Sequence, residues 1–172
     1  LMNFDVVKQL VEYGRSVEKE NNKNIRFTIT TNGILLDDEK IEYINENMHN
    51  VVLSLDGRKE VNDNMRLTAV GTGSYDIIID KIKKLVEGRE EGKEYYVRGT
   101  YTHQNLDFSN DFLHLADKGF KEISLEPVVV KEDTEISIRF EDLEQIYDEY
   151  DKIYRYLRDS IDKGKNVNFY HY

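Results

Sequence analysis

A chain of 172 residues is long enough for one domain that buries most of its apolar surface. Its formal charge of −10, from 34 Asp and Glu against 24 Lys and Arg, excludes a duplex-binding surface built on clustered cations. Cysteine is absent, which excludes disulfides, thiolate nucleophiles and Cys-held metals within these residues.

No apolar run reaches the length of a membrane span, and the N-terminus lacks a basic, hydrophobic leader, so the expected setting is cytoplasmic, without nucleic-acid or membrane partners. The chain opens on Leu1 directly in a helix-entry pattern and closes on Phe169-Tyr170-His171-Tyr172. Both ends read as cut from something longer.

Asn3 is placed to cap a helix from about Phe4 to Glu20, with an apolar stripe of Val6, Val7, Leu10, Val11, Gly14 and Val17. From Ile25 to Asn32 the side chains alternate, with Ile25, Phe27 and Ile29 on one face and Arg26, Thr28, Thr30 and Asn32 on the other. That period of two predicts a half-buried strand, ended by Asn32-Gly33. Asp37 or Asp38 then caps a helix with Ile41, Ile44 and Met48 inward. Val51 to Asp56 is the second predicted strand, stopped by Gly57, and Arg58 to Gly73 reads as a polar loop. Ser74 is placed to cap a helix carrying Ile78, Ile82, Leu85 and Val86.

Tyr95 to Thr102 predicts the third strand, followed by a helix over about Asn110 to Lys118 with Phe112, Leu113 and Ala116 inward and Gly119 as its stop. Glu122 to Val130 predicts the fourth, and Pro127 within it predicts an edge position or a bulge. The last helix, about Phe140 to Lys163, carries the stripe Leu143, Ile146, Tyr147, Tyr150, Ile153, Tyr154, Leu157 and Ile161. Nothing in the composition marks a linker or a second domain.

Strands alternating with helices imply parallel pairing through right-handed crossovers. Strands of a doubly wound sheet are apolar on both faces. Here one parity is apolar (Val51/Leu53/Leu55, Tyr95/Val97/Tyr101, Ile123/Leu125) and the other polar (Ser54/Asp56, Tyr96/Arg98/Thr100, Ser124/Glu126). With all helices on the apolar face, the sheet curls into a part-barrel whose polar lumen suits a ligand at the strand C-termini.

Ser54-Leu55-Asp56-Gly57 puts a hydroxyl and a carboxylate on the lumen side, or is simply an Asp-Gly turn with a local Ser hydrogen bond. Arg98, in the middle of a β-prone stretch, demands a partner. That partner is either Glu126 on the neighbouring unit or a ligand carboxylate or phosphate matching the guanidinium fork. The four histidines show no metal-ligand spacing, and no nucleophile triad stands out. Read from residues alone, the chain offers a polar binding lumen without a catalytic engine.

Thr30-Thr31-Asn32-Gly33, Ser54-Leu55-Asp56-Gly57 with Asn62-Asp63 and Arg66, Tyr96-Val97-Arg98-Gly99-Thr100, and Glu126-Pro127-Val128-Val129 together resemble the radical S-adenosylmethionine (SAM) enzymes. In particular they resemble the radical SAM/SPASM maturases of six-cysteine (SCIFF) peptides, which form thioether crosslinks; sulfatase-maturing enzymes share the same core. The resemblance implies a partial (β/α) barrel of the radical SAM type, with four parallel strands and the helices on the outer face. Residues 1–172 would be a truncated core, from second to sixth helix and third to sixth strand. The resemblance also implies a parent enzyme that binds SAM and a [4Fe–4S] cluster and uses a 5′-deoxyadenosyl radical on a ribosomally made precursor peptide.

The Cys-x3-Cys-x2-Cys cluster loop and the auxiliary-cluster domain of that family are missing here. The chain alone is therefore expected to be inactive, with no cofactor bound, no metal ligands and no assigned catalytic residue. Carried over by position, Ser54 matches a contact of the SAM ribose or methionine portion and Arg98 the partner of its carboxylate. Thr31 and Asn32 flank the nucleoside, Pro127-Val128 lies where the last strand covers adenine, and Asp56 and Glu126 complete the cofactor-binding set. The alternatives are a sulfatase-maturase-like enzyme and a non-catalytic α/β binding module. An unpaired Ile25–Thr31 edge would further promote self-association.

Overall fold

A computed structural model describes residues 1–171 and gives a parallel α/β fold. Its elements are α1 (Phe4–Asn21), β1 (Thr28–Thr31), α2 (Asp38–Asn47), β2 (Asn50–Ser54), α3 (Lys59–Met65), α4 (Tyr75–Glu87), β3 (Glu94–Tyr101), α5 (Phe108–Asp117), β4 (Glu122–Pro127), α6 (Leu143–Asp162) and β5 (Asn168–Phe169). The strands keep their sequence order, β1-β2-β3-β4-β5, so β1 is a sheet edge. By contact density the chain divides into one unit of Leu1–Leu53 with Ile77–Tyr95, and a second of Ser54–Asp76 with the segment from Tyr96 onward.

In the first unit β1 pairs parallel with β2, Thr31 opposite Leu53. Asp37 caps α2 as expected, its carboxylate accepting the Lys40 N–H at 2.9 Å. Ile41, Ile44 and Met48 of this region and Ile78, Ile82 and Leu85 of α4 are all buried. Arg89 donates to the Met48, His49 and Glu94 carbonyls at 2.9–3.0 Å and so ties the end of α2 to the starts of two strands. Burial holds its pKa below the usual arginine range.

Helix α1 departs from the predicted stripe. Phe4, Val11 and Gly14 are buried, the Phe27 ring lying over Gly14, whereas Val6 and Leu10 are 50 % and 60 % exposed. At 3.6 residues per turn these two sets are roughly a third of a turn apart, and Phe27 and Tyr43 select the first. Asn3 flanks the helix but makes no side-chain cap. Strand β1 is shorter than predicted, yet its alternation holds: Thr28 and Thr30 are exposed and Ile29 half-buried.

In the second unit β3 pairs parallel with β4, Arg98 opposite Ser124 and Gly99 opposite Leu125. The predicted parity is present: Val97, Tyr101, Ile123 and Leu125 are buried while Arg98 is exposed. An aromatic cluster covers the apolar side, with Tyr101 stacked on Phe108 at 4.1 Å and Phe112 edge-on to Phe169 at 5.4 Å.

Several expectations are corrected here. The predicted loop 58–73 contains α3, whose Asn62 and Asp63 serve as internal acceptors rather than solvated polar groups. Ser74 does not cap α4; its hydroxyl accepts from Asn62, and Asp63 takes the Tyr75 N–H at 2.7 Å. A fifth parallel strand, Asn168–Phe169, joins the four predicted, pairing only with Glu122 and Ile123 of β4. Pro127 is the last residue of β4, beyond the reach of that pairing, so its missing N–H costs the ladder nothing. On α5 the buried apolar residues are Phe108, Phe112 and Leu115, with Leu113 and Ala116 only half-buried. On α6, Ile146 and Ile153 are buried, but Tyr147, Tyr154 and Ile161 face solvent: helical spacing alone does not say how wide a face the neighbouring elements cover.

Gly99 is a position in the second unit where two backbones approach closely. A Cβ there would sit 2.5 Å from Leu125 Cδ2 and 2.9 Å from the Leu55 carbonyl oxygen. Gly99→Ala is expected to destabilise the chain by about 1–3 kcal/mol through overpacking, read as a lower urea midpoint at unchanged m-value.

Candidate functional site

The polar residues picked out in the sequence fall in two places. Thr31 and Asn32 close β1 in the first unit: Thr31 Oγ1 accepts the Gly33 N–H at 3.2 Å and Asn32 Oδ1 the Ile34 N–H at 3.3 Å. These bonds shape the turn and leave Asn32 exposed. Ser54, Asp56, Arg98, Glu126, Pro127 and Val128 all belong to the second unit.

Asp56 is the hub of that unit. It is 2 % exposed, and Arg66 grips it with both prongs, Nε to Oδ2 at 2.7 Å and Nη2 to Oδ1 at 2.8 Å. Its Oδ1 also accepts the Thr100 N–H at 2.9 Å. The Leu55 N–H still bonds the Arg98 carbonyl at 3.1 Å. One residue further on, the carboxylate of Asp56 takes the place of a ladder partner. The side chain thereby ends the pairing and fixes Arg98–Thr100 at the same stroke. Asn62, fully buried, accepts the Asp56 N–H and donates to Ser74. Both Asp56 oxygens are thus occupied from within the chain.

Gly57 follows with φ +132°, and a Cβ there would come within 2.3 Å of Asp111. This left-handed turn delivers Arg58 onto Asp111, whose Oδ1 receives both the Arg58 N–H at 2.9 Å and Nε at 2.8 Å, while Nη2 reaches Asp107 at 2.8 Å. Burial pushes Asp111 above the ordinary carboxylate range, with Arg58 opposing it; hydrogen bonding to Asp111 raises Arg58, and Arg58 holds the more exposed Asp107 low. The buried charge is compensated, and the motif reads as a clamp. Asp111 was not legible in the sequence: its one signal was a carboxylate between the helix positions of Phe108 and Phe112.

The polar parity of β3 and β4 carries Arg98, Ser124 and Glu126; Arg98 is exposed and Glu126 half-buried, but Ser124, expected on the same open face, is buried. Arg98 forms an ion pair with Glu126 that raises the arginine and lowers the glutamate from their usual pKa values. Ser124 Oγ lies 3.3 Å from Glu126 Oε1 and 3.2 Å from His171 Nε2. The internal partner foreseen for Arg98 is therefore present, but the arginine side chain keeps 49 % of its exposure. Half-buried Ser54 makes no side-chain hydrogen bond among the described residues. Pro127 is exposed and Val128 half-buried, its N–H bonded to the Tyr101 carbonyl at 2.9 Å.

Two histidines are held by acidic or phenolic partners. His103 Nδ1 is 2.8 Å from Asp142, and His114 Nε2 is 2.6 Å from the Tyr75 hydroxyl. Burial, then the Lys118 charge, holds His114 below its ordinary pKa. Among the described residues no group of three or more His, Cys, Asp or Glu is arranged to hold a metal ion, and no helix is long and apolar enough to cross a membrane.

No family model matches the chain. Over 122 residues it is 30 % identical to a cysteine-type anaerobic sulfatase-maturating enzyme of Clostridium novyi, covering 70 % of this chain and 32 % of that protein. Over 127 residues it is 28 % identical to an uncharacterised protein of Methanocaldococcus jannaschii, covering 73 % of this chain and 42 % of the relative. The chain thus spans less than half the length of either. Among solved structures, native anSMEcpe with bound AdoMet and Kp18Cys peptide superposes with a TM-score of 0.79 at 20 % identity, over 98 % of this chain and 46 % of that one. A domain of pyruvate-formate lyase-activating enzyme from Bacteroides vulgatus gives 0.52 at 15 % identity, over 94 % of this chain and 89 % of that one. At these identities the structural likeness speaks for the fold.

Two measurements test this arrangement. Asp56→Ala strands Arg66 and the Thr100 N–H and is expected to cost about 3–5 kcal/mol in chemical denaturation, as breaking a buried pair does; a loss below about 1 kcal/mol would contradict the hub. His114, depressed in the fold, is neutral where the unfolded chain begins to take up a proton. Its contribution is complete above the unfolded value of about 6.5 and is lost as pH falls toward its own lower pKa. The urea midpoint of the wild type should fall more between pH 7.5 and 5.5 than that of His114→Gln, the range being set by that reference value.

Proposed function

On the premise that this chain is related to the radical SAM family, as its likeness to the sulfatase-maturating enzyme supports, we propose that it is the SAM-binding core of a peptide maturase. The observation that carries this reading is Arg98, a half-exposed guanidinium on the open polar face, held by a single exchangeable ion pair to Glu126. A SAM carboxylate is a bidentate acceptor for such a fork. Within the reading, Ser54 supplies a hydroxyl to the methionine or ribose portion, and Pro127-Val128 gives the adenine an apolar rest. Glu126 holds Arg98 in place until the ligand carboxylate replaces it, and Asp56 fixes the strand that carries the arginine.

The family's [4Fe–4S] cluster does not fit these residues. There is no cysteine, and among the described residues no alternative set of ligands. The thiolates of a working enzyme would have to come from outside these 172 residues. When bound in such an enzyme, SAM with its cluster supplies a hydrogen-abstracting radical. The part of this chain is to bind, orient and shield the cofactor. For the substrate, a Cys-containing peptide is favoured by the sulfatase-maturating relative and by the peptide bound in the anSMEcpe structure. Thioether formation in a SCIFF-type precursor is the specific chemistry we propose within that class.

The decisive experiment uses a longer protein that contains this chain together with the cluster ligands, reconstituted anaerobically. Arg98→Ala should weaken SAM binding by roughly tenfold to a hundredfold, as losing a charged hydrogen bond does. Arg98→Lys should recover only part of it. Because the Arg98–Glu126 pair is exposed, its loss should cost at most about 1 kcal/mol of stability. Unchanged SAM affinity with a lowered melting point would move Arg98 to the scaffold and overturn the reading.

A further inference from the structure

The ion pair with Arg98 uses one oxygen of Glu126. Oε2 meets the guanidinium, while Oε1 accepts the Ser124 hydroxyl at 3.3 Å. Ser124 is buried, and His171 Nε2 lies 3.2 Å from the same hydroxyl oxygen. A hydroxyl has a single proton to donate. With that proton on Glu126, Ser124 faces His171 as an acceptor, so Nε2 carries a proton and donates. The Glu126 carboxylate therefore has a guanidinium on one side and, one hydroxyl away on the other, an imidazole N–H. Arg98 is the main cause of the low Glu126 pKa, and the His171 charge adds to it. The imidazole is held in place by its ring, edge-on to Phe169 at 5.4 Å.

His171 has no part in the reading above, which asks Glu126 to leave Arg98 when a ligand carboxylate arrives. That exchange brings a second negative charge to one guanidinium. Left in place, Glu126 would face the ligand carboxylate across Arg98, and like charges at that range repel. The bond to Ser124 is untouched by the exchange, because the other oxygen makes it, and it tethers the carboxylate on the His171 side.

We propose that Ser124 and His171 form a second seat for Glu126: as a ligand carboxylate takes Arg98, Glu126 pivots on its Ser124 bond and accepts the His171 N–H in place of the guanidinium. The proposal deepens the cofactor-binding reading above and rests on it. Ser124 and His171 are positioning residues that clear Arg98 without touching the ligand. One charge-assisted hydrogen bond replaces another, so the arginine is held in the empty site and available in the filled one. The exchange also selects for a carboxylate over an ester or amide of the same shape, because an anion competes with Glu126 for the guanidinium and a neutral group does not.

Two measurements test it. The first needs no ligand: Arg98→Gln in the 172-residue chain removes the guanidinium from Glu126, as an arriving carboxylate would. The pair is exposed and its loss leaves the fold intact. A crystal structure of this variant should show a Glu126 oxygen within about 3.2 Å of His171 Nε2, with Ser124 still on the carboxylate. Glu126 turned to solvent would overturn the proposal. The second measures SAM affinity in the longer, cluster-containing protein. Ser124→Ala, and His171→Phe, which keeps a ring against Phe169, should each weaken binding by roughly threefold to tenfold, as losing one hydrogen bond does. In a Glu126→Gln background no anion has to be reseated, and the same substitutions should change affinity by less than about twofold. Equal losses in both backgrounds would mark a merely structural role and overturn the proposal, as would unchanged affinity in both single variants where Arg98→Ala does weaken SAM binding. If Arg98→Ala has no effect on SAM, the cofactor reading alone falls, and the Arg98→Gln crystal structure still decides whether the second seat exists.

Discussion

The second unit depends on one buried carboxylate. Asp56 is desolvated, which would be costly alone, but it receives a two-pronged Arg66 and a backbone N–H from β3. Charge-assisted bonds of this number and geometry offset the burial of the ion. They also convert a strand end into a fixed point: the ladder stops where the side chain takes over the Thr100 N–H. Arg98, two residues before Thr100, inherits its position from that bond. Gly99 between them lets Leu55 and Leu125 close over the backbone, so carboxylate, glycine and arginine act as one local device.

A second fixed point lies one residue along the chain. Gly57 turns the backbone with a dihedral that other residues rarely adopt, and Arg58 is anchored on α5 through Asp111 and Asp107. Two consecutive acidic clamps, one to α3 and one to α5, are what make the Ser-Leu-Asp-Gly segment rigid. Rigid placement matters for function because a binding fork loses affinity when its own side chain must first be ordered. The open face keeps the opposite character. Arg98 and Glu126 are linked by an ion pair at the surface, with the Ser124 hydroxyl on the second glutamate oxygen.

The amino-acid sequence by itself determined the class of the fold. Alternation in 25–31, 51–55, 95–101 and 122–126, broken by helical spacing between, left parallel βα units as the consistent reading, and the parity of Val97 against Arg98 and Leu125 against Glu126 is the parity in the structure. Those signals are local, set by the period of each element. The Asp37 cap was legible for the same reason, since donor and acceptor are three residues apart. Only tertiary structure decided what long-range partners do. Asp111 meets Arg58 across 53 residues, Asn62 is buried inside a segment that looked like loop, and the exposed side of α1 was chosen by Phe27 and Tyr43. Helix α6 shows the limit best: its spacing made Tyr147 and Tyr154 look inward, yet an aromatic ring repeats just as regularly on a solvent face, and only the packing against α5 sets which face is buried.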